Sequence, residues 1–295
     1  MILIAGGLDG SNRLASVEVI SEDASNKPQL PNMPKPISWS PSMVNHNGGI
    51  LLCGGSNNLQ TCLQMEENGW NNHSNLNEER SMASAAATNT TTFIFGGDES
   101  IFTYEYLEQG SSTNWQEGNE RIPGLGFKRG CAVAVFDEEV WIIGGWHTGS
   151  RILSFNTRNH KFKELTTIQL KEGRGAQKCI QIPGTTKIIV SGGRDPSSGK
   201  QLDSAEIIDF ESKSVKNTGK MNFKRVYHGI GILTLDGQDQ VAIFGGSDDN
   251  YDLLDSVEVY DQKTQKWKIR ADMKLSQART HFGFLTIKHD DIPGL

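Results

Sequence analysis

The sequence predicts an all-β protein in which six four-stranded antiparallel sheets are arranged in a ring. Three observations carry this. An apolar strand ending in a double glycine occurs six times, as Gly6-Gly7, Gly54-Gly55, Gly96-Gly97, Gly144-Gly145, Gly192-Gly193 and Gly245-Gly246. Successive copies are 48, 42, 48, 48 and 53 residues apart. The 32 glycines in 295 residues exceed ordinary usage and favour short strands and turns over helices.

Each period reads as four strands, a to d. Strand a begins after an arginine, in "RSMASAAAT" from Arg80, "RGCAVAVF" from Arg129, "RGAQKCIQI" from Arg174, "RVYHGIGIL" from Arg225 and "RTHFGFLTI" from Arg279. Strand b is the apolar run before the glycines. Strand c alternates, as in "SVEVI", "FTYEY", "SAEII" and "SVEVY". Strand d follows a polar turn and carries an aromatic residue: Trp70, Trp115, Phe162 or Trp267. A dinucleotide loop would need G-x-G-x-x-G before a helix. "AGGLDG" misses that spacing, and a nucleotide loop does not recur six times.

The strand ending in GG, the c strand ending in Tyr and the d strand carrying Trp together resemble the kelch-repeat family, most closely over Phe244 to Met273. Ile20 and Met65 stand where Tyr is expected, and Phe162 replaces Trp. The resemblance implies a six-bladed β-propeller, usually an interaction module, occupying 1–295 as one domain. Sheets packed radially in this way bury both faces and expose only short edges. Met1 to Ala5 is already a b strand, and the C-terminal segment has an a-strand pattern with no b strand after it. The ring should therefore close by pairing about 1–5 with about 280–287.

Strand order places the arginines and the loops after each GG at one end of the ring. Arg80, Arg129, Arg174, Arg225 and Arg279 are expected around one mouth of the channel, with Trp39 near the corresponding position of the first blade. Trp146 and His147 join them from "GGWHTGSR", together with Asp9, Asp98, Glu99, Asp195, Asp248 and Asp249. Two roles compete for the arginines: bridging neighbouring blades through a planar five-donor fork, or capturing an acidic segment of a partner. An exposed tryptophan is the more individual candidate for an anchor.

Composition narrows the function classes. The net charge of −6 and the lack of a long Lys/Arg cluster disfavour nucleic acid, and no apolar run approaches a membrane helix. The four cysteines form neither a disulfide framework nor a CxxC site. Cys53, Cys131 and Cys179 read as small buried hydrophobes, with a local Cys53–Cys62 disulfide as the alternative. "GRDPSSGK" lacks P-loop spacing, and Gln201 stands where a magnesium-binding Ser or Thr belongs. Tyr227 and His228 are of the ligand types of copper-radical oxidases, without the further ligands. His228 and His281 begin strand a at similar phase, which reads as repeat architecture, not a metal pair.

The expected function is thus a non-catalytic scaffold for a protein or peptide, monomeric, cytoplasmic, with no cofactor and no metal. The alternatives are a sugar epimerase or mutarotase-like enzyme using His228 or Glu99, or the recognition part of a larger ubiquitin-ligase adaptor. Extracellular placement would follow if a signal segment precedes this chain. A pocket closed around a small ligand would favour the enzyme, and a broad rim the partner.

Overall fold

The structure, a computed structural model, describes residues 1–23, 27–56, 59–110, 114–136 and 138–293. It is a six-bladed propeller, numbered here from the blade that holds the N-terminus. Blade 2 contains β3 (Ser42–His46), β4 (Gly49–Cys53), β5 (Cys62–Glu66) and β6 (Gly69–Asn72). Blade 3 contains β7 (Ser84–Ala87), β8 (Thr91–Phe95), β9 (Tyr104–Glu108) and β10 (Gln116–Glu117). Blade 4 contains β11 (Cys131–Phe136), β12 (Glu139–Ile143), β13 (Ile152–Asn156) and β14 (Lys161–Glu164). Blade 5 contains β15 (Lys178–Gln181), β16 (Lys187–Ser191), β17 (Ala205–Asp209) and β18 (Ser214–Asn217). Blade 6 contains β19 (Gly229–Leu235), β20 (Gln238–Phe244), β21 (Ser256–Asp261) and β22 (Lys266–Lys274). Each is a four-stranded antiparallel sheet in chain order.

Blade 1 joins both ends of the chain, β1 (Ile2–Ala5) and β2 (Val17–Ile20) with β23 (Gly283–Thr286). Ile2 pairs with Thr286 and Ala5 with Gly283, which is the closure the strand phase requires. This sheet has three strands among the described residues. The chain after β2 reads "KPQLPNMPKP", and proline has no N–H to donate to a ladder, so no outer strand forms there. A 3₁₀ turn, His289–Asp291, follows β23.

The double glycine has a specific task. All twelve residues have positive φ, 58–73° at the first position and 89–122° at the second. The N–H of the second glycine donates to the carbonyl of the residue that leads into the next blade: Ile37, Arg80, Phe127, Arg174, Arg225 or Arg279. That same carbonyl would lie within 3.0 Å of a Cβ on the first glycine, and within 1.9 Å at Gly96. Glycine is needed for both the dihedral and the close approach. Each pair is a seat for its neighbour, which is how a local signal becomes a circular fold.

All four cysteines are paired. Cys53–Cys62 links β4 to β5 within blade 2, with Cα atoms 4.1 Å apart. Cys131–Cys179 links the innermost strands of blades 4 and 5, with Cα atoms 5.9 Å apart. The reading of Cys131 and Cys179 as unbonded apolar thiols is therefore corrected. They lie one period apart, and strands that converge on a common axis bring such positions together.

Candidate functional site

At the end of the ring that carries the double glycines, the six blades meet in a closed belt of backbone hydrogen bonds. Met82 N–H donates to Trp39, Arg129 to Met82, Ala176 to Arg129, Tyr227 to Ala176, His281 to Tyr227 and Ser40 to His281, at 2.5–3.3 Å. Every one of these residues has φ between 48° and 61°. The left-handed turn costs a non-glycine residue about 1–2 kcal/mol, which the belt offsets by satisfying an N–H and a carbonyl at each step. The space within the belt, lined by Ser40, Met82, Arg129, Ala176, Lys178 and Tyr227 among others, is only about 10 Å³. The belt narrows the channel mouth at this end.

The belt corrects the register of the predicted arginine ring. Arg80, Arg174, Arg225 and Arg279 sit two residues before it, whereas Arg129 is a belt residue. In blade 4 the place of those arginines is taken by Phe127, and in blade 2 by Ile37.

The four equivalent arginines are 0–1% exposed and turned inward. Each pairs with a glutamate of strand c: Arg80 with Glu105 at 2.9 Å, Arg174 with Glu206 at 2.7 Å, Arg225 with Glu258 at 3.0 Å and Arg279 with Glu18 at 2.9 Å. Each also donates to the carbonyl of its own blade's first glycine. In blades 3, 5 and 6 the glutamate further accepts two backbone N–H groups of the connection into the blade; Glu18 accepts one, from Ser276. Where the arginine is lost, the glutamate is lost with it: Phe127 goes with Leu153, and Ile37 with Leu63. Both replacements lie in apolar cores. Charge is removed in pairs, as expected when an unpaired buried ion costs far more than an apolar substitute.

Arg129 stands above the belt and is half-buried. Its guanidinium grips Asp98, with Nε at 3.0 and 3.1 Å from the two carboxylate oxygens, and donates to the Tyr227 hydroxyl at 2.9 Å. Its carbon lies 5.7 Å from the Trp146 ring and 6.0 Å from that of Tyr227. Tyr227 stacks on His281, with centroids 3.7 Å apart. Further out, Arg13 lies 5.7 Å over Trp39, and Arg194 donates to the Tyr251 hydroxyl at 3.3 Å. Trp39 and Tyr251 are 40% and 66% exposed. His147 is exposed on the loop after Gly145. Cations over aromatic faces are attracted by the ring quadrupole, which fixes this layer's geometry.

The acidic loop residues shape the same face locally. Asp9 accepts from Gln277, Glu99 from Ser81, Asp195 from Ser197 and Ser198, Asp248 from Asn250 and Asp252, and Asp249 from Lys224. His228 lies in the core with Nε2 2.9 Å from Ser191 Oγ, and burial holds it well below its ordinary pKa. Glu99 is in blade 3 and His228 in blade 6, on opposite sides of the ring. Burial, then the charges of Lys178 and Arg129, push His281 down to about 3. Among the described residues no three His, Cys, Asp or Glu side chains are gathered as a metal site.

The kelch-motif family model matches residues 240–274, which is blade 6 from the b strand to the end of the d strand. Six copies of the strand and glycine pattern close the ring on which that match lies. The chain is a kelch-repeat propeller. No curated protein matches the chain significantly. Kelch propellers are commonly protein-interaction scaffolds, and among the described residues no helix is long and apolar enough to cross a membrane.

Tyr227 and His281 as a stacked pair, and Arg194 and Tyr251 at the rim, are members of this layer that repeat matching passes over. The available signal is internal to the chain. The belt position reads Trp39, Met82, Arg129, Ala176, Tyr227 and His281 in a framework whose other positions repeat, so its chemistry is not dictated by the fold.

Proposed function

We propose that this kelch propeller binds a protein or peptide partner on the belt face, through Trp146, Tyr227, His281, Trp39 and Arg129. The observation that carries the proposal is the layer of aromatic faces and guanidinium groups over a channel mouth whose space within the belt is about 10 Å³. A rigid aromatic surface suits anchoring, since aromatic side chains and arginine dominate interface energetics. Pockets that bury small molecules are usually about 300–1,000 Å³, so the small space within the belt supports a surface-binding role over an enzyme acting there. Arg80, Arg174, Arg225 and Arg279 are buried against internal carboxylates, so contact with an acidic segment falls to the partly exposed Arg194 and to Arg129, whose guanidinium also holds Asp98.

Both disulfides support work in an oxidising compartment, where such bonds persist.

Proximity labelling with wild type against the Trp146→Ala/Arg129→Gln double variant tests the binding face. Glutamine is chosen because a glutamate would oppose Asp98. Loss of the enriched partner at unchanged melting temperature is expected; undiminished enrichment would refute this face.

A further inference from the structure

Directly beneath the belt, the first residue of each innermost strand pairs with the residue preceding a double glycine. Around the ring these first residues are Ser42, Ser84, Cys131, Lys178, Gly229 and Gly283. Five are small and one is lysine. The small residues leave a cavity of about 110 Å³, lined by Ser42, Ser84, Cys131, Lys178 and Phe284 among others, on five of the six innermost strands.

The Lys178 ammonium makes no hydrogen bond or ion pair among the described residues; it lies 5.2 Å over the Phe284 ring. The other charges near it are not acids free to answer it. Arg129 is a cation, Asp98 is held by Arg129, and both His228 and His281 are held neutral partly by the Lys178 charge. On the opposite side, the Ser42 hydroxyl is buried without a partner. A serine has three staggered rotamers, so one turn of χ1 re-aims it.

Lys178 is partly exposed to the channel, and the cavity it lines has no carboxylate among its lining residues, so its charge has no fixed counter-ion there. We propose that the channel of this propeller is an anion site, in which Lys178 holds a small monovalent anion of the size of chloride, with Ser42 as a second donor. The cavity is well under the roughly 300 Å³ at which pockets for drug-sized ligands begin, which limits the ligand to an ion with a few waters. Desolvation by the channel wall lowers the Lys178 ammonium to about 8.

The test compares melting temperatures in chloride and in gluconate, an anion too bulky for the cavity, at equal ionic strength. Wild type should melt higher in chloride. Lys178→Met should lose that difference, and Ser42→Ala should reduce it. Bromide-soaked crystals of wild type should show an anomalous peak within hydrogen-bonding distance of Lys178 Nζ; this measurement stands even if a variant does not fold. Equal melting in the two salts, a chloride effect retained in Lys178→Met, or a channel without a bromide peak would overturn the proposal.

Discussion

Replacing Arg225 with methionine removes one half of a pair in which both side chains are 0% exposed. Glu258 would keep Asn222 and Phe223 as donors but lose the cation that balances its charge. Breaking a buried ion pair from one side costs about 3–5 kcal/mol, and that range is expected for Arg225→Met and for Glu258→Leu. The double variant should cost less than the sum, because no charge is left unanswered. Its remaining cost is the two N–H groups that Glu258 had accepted and the Gly245 and Ser256 carbonyls to which Arg225 had donated, about 1 kcal/mol each. A favourable coupling of at least 2 kcal/mol is therefore expected, within the roughly 0.5–3 kcal/mol seen for contacting residues. Blades 2 and 4 already carry the apolar solution, Ile37 with Leu63 and Phe127 with Leu153. In blade 2, Pro34 stands where Asn222 stands and has no N–H to satisfy. Urea unfolding of the four proteins gives the coupling. Additive losses, or a single substitution costing under about 1 kcal/mol, would refute the assignment of these arginines to stability.

Deleting residues 274–295 removes β23 and the belt contribution of His281, leaving Ile2–Ala5 with an open edge; loss of the cooperative melt is expected, and an undiminished one would refute ring closure. With His281 held at about 3 and an ordinary histidine near 6.5 in the unfolded chain, the unfolded state takes up the proton first. The stability this residue contributes is complete above pH 6.5 and declines as pH falls toward 3; it amounts to a loss of about 2 kcal/mol between pH 7 and 5. His281→Phe should be less acid-sensitive by that amount in urea unfolding at the two pH values, and equal sensitivity would show otherwise. Gly48→Ala, with open space, should cost only the left-handed dihedral, about 1–2 kcal/mol, and Gly96→Ala, at a similar φ, should cost clearly more because the new Cβ meets the Phe127 carbonyl. Similar losses in calorimetry would argue against the seat role of the double glycine.

The circular β architecture was legible because its signals repeat: the glycine pairs, the alternating c strands and the unmatched strands at the two ends each state the same phase. Reading failed where one repeat departs from the others. Arg129 reads as one of the repeated arginines although Phe127 occupies their structural position two residues earlier, and a single chain offers no cue that the arginine has a different register. The fourth strand of blade 1 was expected from the period, but four prolines between Lys27 and Ile37 override it. The Cys131–Cys179 bond depends on convergence toward an axis, which periodicity along the chain does not express. The belt face was only partly visible, since its aromatic pair belongs to residues that look like ordinary strand beginnings.

The belt also has a direction. All six of its N–H groups point to the preceding blade, so the peptide dipoles run head to tail in a circle without ends. A helix leaves partial charges at its termini, but a closed loop of dipoles cancels its own field along the axis while each bond polarises the next. The result is a hoop in which no blade is first or last. Prising apart any two neighbours must break the circuit, so adaptation to a partner is left to the side chains and loops mounted on it.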